Sequence, residues 1–202
     1  MFIQVITGKV KDRAGFQRQS DRWNTELRPG AKGYLGATEG VTDDGRFIVV
    51  ARFESEAAAR ANSERAEQGE WWTEMERFVE SPSFADSTDI VTLLGGGSDE
   101  AGFVQVMRGR VTDAARLAAI RDGMGEFEST MAKFRPDVLG EVIALHADET
   151  YTDVVYFASE AAARGGEAAS ADPPADVAAM LDNLMSAIAV DEYLDLRAPM
   201  LH

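Results

Sequence analysis

Phe2-Ile3-Gln4-Val5-Ile6-Thr7-Gly8-Lys9-Val10-Lys11-Asp12 returns, displaced by 101 residues, as Phe103-Val104-Gln105-Val106-Met107-Arg108-Gly109-Arg110-Val111-Thr112-Asp113. Six of the eleven positions are identical. Further along, Phe53-Glu54-Ser55-Glu56-Ala57-Ala58-Ala59-Arg60 returns as Phe157-Ala158-Ser159-Glu160-Ala161-Ala162-Ala163-Arg164, displaced by 104 with seven of eight identical. Leu35-Gly36 and Leu139-Gly140 share the second displacement. Matches in one order with a three-residue drift mark an internal duplication. The drift reads as a short insertion where the first helix of the second copy begins. Between the copies lies Gly95-Gly96-Gly97-Ser98-Asp99-Glu100-Ala101-Gly102, whose composition marks a flexible linker. The expected organisation is a first unit at 1–94, a linker at 95–102 and a second unit at 103–202. The glycine run does not fit a phosphate-binding loop. No Lys-Ser or Lys-Thr follows it, and a strand comes next instead of a helix N-terminus.

Within the first copy, residues 2–10 alternate and are rich in Ile and Val, the pattern of a strand. Asp12 is placed to cap a helix running to Leu27, with Phe16, Trp23 and Leu27 as its apolar stripe and Pro29-Gly30 as its stop. Strands are expected at 33–41 and 46–53, joined by the turn signal Asp43-Asp44-Gly45. Ser55 caps a short Ala-rich helix, with Glu56 in its first turn. Gln68-Gly69 is read as its break. Trp71, Met75 and Phe78 then recur as on another helix, and 88–94 is read as a fourth strand. The second copy repeats the order. Its first helix carries Leu117, Ile120, Met124, Phe127, Met131 and Phe134 as one stripe expected to fill its own space. Strands follow at 138–146 and 151–158, helices at 159–169 and 174–187, and a strand at 189–196. The order β-α-β-β-α-β, with the second helix broken in two, is the ferredoxin-like arrangement. The fold class is α+β, two tandem ferredoxin-like units with antiparallel sheets. Each sheet has an apolar second face, and the expectation is that the units pack sheet to sheet as an intrachain barrel.

Composition narrows the function classes. The 202 residues are 45% hydrophobic, enough for real cores. A formal net charge of −15 repels a phosphate backbone, and Arg108 with Arg110 is too small a basic cluster to override it. Nucleic acid is therefore not an expected partner. No apolar run approaches a membrane span, and no basic segment with an apolar run precedes the first strand, so neither a membrane nor a signal peptide is expected. The absence of cysteine removes disulfides, thiolate nucleophiles and Cys-held metals. A cytoplasmic location is the default.

The element order, the unit length and the Phe-x-Ser-x-x-Ala-Ala-x motif at Phe53 and Phe157 resemble the dimeric α+β barrel superfamily, and within it the antibiotic-biosynthesis-monooxygenase-like domains. The resemblance covers nearly all of both halves. It implies a fused pair, a monomeric pseudo-dimer with further homodimerisation left open. It also implies a barrel that holds a small aromatic or polyketide-like molecule. The superfamily spans monooxygenases, haem-degrading enzymes, isomerases, effector-binding domains and stress proteins, so fold does not settle function. Its haem-degrading branch carries an Asn on strand one and a Trp and a His on helices. Here strand one has Gln4 and Ile6, and no first-copy helix has a His, which argues against haem.

Candidate site residues follow from asymmetry between the copies. All three tryptophans, Trp23, Trp71 and Trp72, lie in the first half, where the second has Phe127, Val177 and Ala178. Ser20 interrupts the stripe between Phe16 and Trp23 where the second copy has Met124, leaving space and a hydroxyl. Ser20, Trp23, Tyr34, Trp71 and Trp72 are therefore expected to bound a pocket between sheet and helices, the mix of apolar walls and few polar groups that small-molecule sites show. Arg52 joins them as a pocket candidate; Arg18, Arg22, Glu39 and Arg52 would add charge at the rim, with a plain surface position the equal alternative for all four. Core packing is the competing reading for the aromatic rings. Gln4 and Gln105 share a face with apolar neighbours in both copies, which favours a structural hydrogen bond. His146 sits at a turn and is read as solvated, and His202 is read as a mobile terminal residue. No metal site, no Ser-His-Asp set and no cofactor is expected, and no catalytic residue stands out. Two functions remain open. One is a small-molecule-binding protein without turnover. The other, implied by the resemblance, is a cofactor-independent monooxygenase acting on an electron-rich aromatic molecule.

Overall fold

Phe2–Val10 forms β1 because its alternation suits a strand apolar on both faces: Phe2, Ile3 and Val5 are all buried. The computed structural model describes residues 1–202 and resolves two units, unit 1 of Met1–Ile90 with Pro199–His202 and unit 2 of Val91–Ala198. No helix is long and apolar enough to cross a membrane.

In unit 1, Asp12 accepts from the Gly15 amide and starts α1, Arg13–Arg22. The coil then widens into one π turn, Trp23–Leu27, and closes in a 3₁₀ turn, Arg28–Gly30. Strands β2 (Tyr34–Val41) and β3 (Arg46–Phe53) are joined through Gly45, whose φ of 87° needs a residue without a Cβ. Ser55 caps α2, Glu56–Ser63, and α3 runs Ala66–Met75. The break between them falls at Glu64-Arg65, not at Gln68-Gly69. The Arg65 guanidinium fixes the corner by donating to Asn62 Oδ1 at 2.9 Å and to the Leu27 carbonyl at 3.0 Å. Gly69 lies inside α3 with open space around it. Phe16, Leu27, Phe47, Trp71, Met75 and Val79 form the core between helices and sheet.

The fourth strand of unit 1 is β4, Val79–Ser87, which pairs antiparallel with β1; the segment expected to supply it, 88–94, instead forms β5, Asp89–Leu93, in the other sheet. The Ser81-Pro82 pair hid β4 from sequence reading. Proline is tolerated because β4 is an edge strand and its register slips there, with Ser81 at a φ of 48°. The sheet order is β10-β2-β3-β1-β4, where β10 is Met200–Leu201.

Unit 2 contains β6 (Phe103–Val111), α4 (Ala114–Asp122), α5 (Met124–Phe134), β7 (Val138–Leu145), β8 (Thr150–Phe157), α6 (Glu160–Ala169), α7 (Ala175–Met185) and β9 (Ile188–Leu196). Its sheet order is β5-β7-β8-β6-β9. The stripe expected on one helix is divided at Gly123 between α4 and α5, and no residue of either is fully buried. Gln105 Nε2 donates to Asp195 Oδ1 on the neighbouring β9 at 3.1 Å, and Gln4 Nε2 to Asp86 Oδ1 on β4 at 3.2 Å. Both glutamines make the cross-strand bond their repeated position suggests.

Each unit thus completes its sheet with a strand from the other half of the sequence. Residues 91–94 belong with unit 2 and 199–202 with unit 1, because the backbone of β5 and β10 is satisfied there. The repeated Gly36 and Gly140 admit these strands. A Cβ on Gly36 would come within 2.1 Å of the His202 carbonyl oxygen, and one on Gly140 within 1.7 Å of the Gly96 carbonyl oxygen. Gly36→Ala and Gly140→Ala should each destabilise by about 2 kcal/mol, since backbone has to move. Gly125→Ala, in open space on α5, should be neutral or stabilising by about 0.5–1 kcal/mol. Urea titration of the three variants checks the contrast; equal effects at Gly140 and Gly125 would contradict the edge-strand assignment.

Candidate functional site

The inward faces of β1, β2 and β3 carry Gln4 and Ile6, Ala37 and Glu39, and Phe47, Val49, Ala51 and Phe53. Opposite them stand Phe16, Ser20 and Trp23 from the first helical segment and Trp71, Trp72 and Met75 from α3. Between lies a cavity of about 690 Å³, its open mouth included. Apolar walls carrying a few polar groups are what small-molecule sites show.

The π turn decides what the helix presents. It places Trp23 and Asn24 together at the cavity wall, and extra-residue turns of this kind recur at functional sites. Trp23 packs edge-on to Tyr34 at 4.9 Å, and Tyr34 edge-on to Phe53 at 5.5 Å. The indole N–H groups serve structure. Trp23 Nε1 donates to Gln68 Oε1 at 2.8 Å, Trp71 Nε1 to the Gln19 carbonyl at 2.8 Å, and Trp72 Nε1 to Glu76 Oε1 at 3.1 Å. These bonds hold the rings as fixed walls.

Glu39 is the chemical centre. It is 6% exposed, and Ser20 Oγ donates to its Oε1. Burial, with a smaller contribution from Asp21, pushes the carboxyl up to about 7, while the Ser20 bond pulls the other way. A carboxyl balanced near neutrality can hold or release a proton at ordinary pH. Two further lining groups are buried and unpartnered, Tyr34 Oη and Asn24 Oδ1. The Asn24 amide nitrogen contacts His202 Nε2 at 3.0 Å and donates to the Ser20 carbonyl at 3.1 Å. Burial also raises the Tyr34 hydroxyl well above its ordinary value, so it is neutral and able to donate.

Ser20, Trp23, Tyr34, Trp71 and Trp72 therefore come together in one cavity. Arg52 does not. On β3 it follows Ala51 and precedes Phe53, both inward-facing, so its side chain points to the other face of the sheet. Arg18 is exposed, and Arg22 is engaged by Glu26 and Glu74. Glu39 is no rim residue but a buried one. The sequence held a signal for it: Glu39 shares the inward parity of Ala37, where the second copy has Ile143. His202, read from the sequence as a mobile terminal residue, is paired with β2. Its amide and carbonyl pair with Ala37 at 3.0 and 2.9 Å, and it lines the cavity. A two-residue strand has no periodicity to reveal it. His146 contacts Thr152 Oγ1 at 3.1 Å, in unit 2. No group of three or more His, Asp or Glu side chains is arranged to hold a metal ion.

Neither a protein-family model nor a curated protein matches the sequence. Solved structures do match in fold over the whole chain. A candidate monooxygenase from Lactobacillus acidophilus NCFM has a TM-score of 0.69 at 11% identity, with 100% of this chain and 98% of that one covered. A candidate monooxygenase from Fusobacterium nucleatum has a TM-score of 0.72 at 9% identity, with 100% and 93% covered. An anthrone oxidase-like protein has a TM-score of 0.70 at 11% identity, with 100% and 91% covered. At such identities the likeness is one of fold alone: the chain shares with these three proteins a tandem α+β architecture of two ferredoxin-like units, each with an antiparallel sheet.

Proposed function

We propose that unit 1 binds a small aromatic molecule bearing hydroxyl or carbonyl groups in the cavity between its sheet and helices. The observation that carries this reading is the pair of buried, unpartnered atoms, Tyr34 Oη and Asn24 Oδ1, in a cavity walled by aromatic rings. Buried polar atoms are normally paired, and a ligand with donors and acceptors on a flat ring system supplies what these two lack. The fixed tryptophan walls lower the cost of ordering on binding.

Glu39 favours a second step beyond binding. Near neutrality its carboxylate can take a proton from an acidic C–H of an electron-rich phenol such as an anthrone. The resulting carbanion reduces O₂, a carbon–oxygen bond forms, and the peroxide oxygen takes up a proton. Loss of the remaining C–H proton together with hydroxide, as water, leaves the carbonyl. Dioxygen is the oxidant and no cofactor enters this scheme. The likeness to a protein described as anthrone oxidase-like supports testing that substrate class.

Titration with 1,8-dihydroxyanthraquinone should quench the tryptophan fluorescence saturably, since all three tryptophans line the cavity. Ser20→Met, which fills the space and removes the donor to Glu39, should weaken binding at least tenfold. Unsaturable quenching, or equal affinity in Ser20→Met, rules the cavity out as the binding site. With 1,8-dihydroxyanthrone, oxygen uptake above the spontaneous rate that is lost in Glu39→Gln marks an enzyme; binding without uptake marks a binding protein.

Stability should carry the signature of Glu39. Its folded value of about 7 lies above the ordinary 4.5, so the folded state holds a proton that the unfolded chain has lost. The linked contribution is intact below pH 4.5 and declines as pH rises towards 7. Glu39→Gln should be more stable than the parent at pH 8 by up to roughly 3 kcal/mol and match it near the lower limit. Melting temperatures from pH 5 to 8 test this; parallel curves for parent and variant contradict a neutral, buried Glu39.

A further inference from the structure

Unit 2 was expected to be solid, yet it has a cleft of its own, about 580 Å³ with the open space at its mouth included. Its walls are apolar, contributed by β5 (Val91, Leu93), the divided helix α4–α5 (Leu117, Ile120, Met124, Phe127), and Leu184 and Ile188 beyond. Into these walls the sheet places three oxygen-bearing side chains, Glu141 from β7 and Tyr151 and Asp153 from β8. Asp153 is 8% exposed and Tyr151 is 4% exposed. Glu141 and Asp153 are hydrogen-bonded to each other, yet Asp153 Oδ1 has no partner, and neither has Tyr151 Oη. The Tyr151 ring lies against Gly109, where a Cβ would come within 2.9 Å of it, so the ring is held in place.

The two cavities are reciprocal. At the equivalent positions in unit 1 the chain has Ala37, Phe47 and Val49 in place of Glu141, Tyr151 and Asp153, and in unit 2 it has Met124 and Ile143 in place of Ser20 and Glu39. The polar groups of one site are thus apolar in the other, which a residual copy of a single site does not explain.

We infer that unit 2 holds a second ligand site, which takes a primary ammonium group carried on an apolar aliphatic or aryl body. An ammonium has three N–H donors and no acceptor, and Asp153 Oδ1, Tyr151 Oη and the Glu141 carboxylate offer three acceptors in an apolar chamber. A divalent metal finds only two carboxylates there, short of a ligand set. Burial and mutual repulsion hold a proton on the carboxyl pair, Asp153 above all, and an entering cation displaces it. The other charged or titratable groups facing the site are Arg121, the one cation in the lining, Arg135 near Glu141, and Asp191 and Tyr193 near Tyr151.

Isothermal titration calorimetry of the full chain with 2-phenylethylamine and its neutral analogue 2-phenylethanol, each in two buffers of different ionisation enthalpy at pH 7, tests the inference. The amine should bind at least tenfold tighter than the alcohol, with release of up to one proton. Asp153→Asn should weaken the amine at least tenfold, Tyr151→Phe several-fold, and Arg121→Gln should tighten it. Ser20→Met, in the cavity of unit 1, should leave amine binding unchanged, which separates this site from the aromatic-binding reading. Equal affinity for amine and alcohol overturns the inference. So does amine binding that survives both Asp153→Asn and Tyr151→Phe, or that is lost in Ser20→Met. Should Asp153→Asn not fold, Tyr151→Phe and Arg121→Gln decide alone.

Discussion

A carboxyl group on the inward face of a sheet must lose its charge or find a partner, because leaving water as an unpaired anion costs far more than any single contact returns. Both units are arranged around that constraint. In unit 1 the acid is Glu39, and its accommodation explains why the apolar stripe of the facing helix is broken at Ser20: a hydroxyl is needed there and a methionine would crowd it. In unit 2 the acids are Glu141 and Asp153, and the solution is mutual, one carboxyl donating to the other. A sheet face that buried only hydrocarbon would need no cavity, whereas a face that buries an acid keeps room and acceptors beside it.

Much of the fold was legible in the sequence because its signals are local. The alternation of Phe2–Val10, the caps at Asp12 and Ser55 and the turn before Gly45 each depend on a few neighbouring residues, and the alternation and both caps are repeated in the second copy. What escaped depends on distant partners. β4 carries Ser81-Pro82, which reads as a loop until β1 is known to lie beside it as an edge pair. The break at Arg65 depends on Asn62 and on a carbonyl in the first helical segment. The division at Gly123 falls inside a stripe whose spacing alone reads as one helix. In the site, ring residues and Ser20 stood out by contrast between the copies. Strand parity, applied to Arg52 and Glu39 as it was to Gln4, separates the outward arginine from the inward acid.

Fold likeness at 9–11% identity says little of chemistry, since the same arrangement carries many functions. The specific content lies in which side chains the inward faces keep. Duplication supplied two similar cavities, and substitution gave each its own polar set. The tryptophans of unit 1 spend their N–H groups on Gln68, the Gln19 carbonyl and Glu76, so only their ring surface is offered inward. Unit 2 has no tryptophan, and apart from Phe127 and Tyr151 its walls are mostly branched aliphatic side chains.

The interchange of β5 and β10 bears on how the chain is made and inherited. During synthesis the residues of unit 1 up to Ile90 emerge about a hundred positions ahead of Pro199–His202, so the outer side of β2 stays unpaired while all of unit 2 is produced. Open strand edges invite pairing with other chains. Here the missing strand is only two residues long, so the exposed ledge is short. Neither half of the gene encodes a whole sheet, and a recombination that replaced one half would have to carry a short piece of the other with it. The duplicated units have become a single heritable block, free to diverge in their cavities but no longer free to separate.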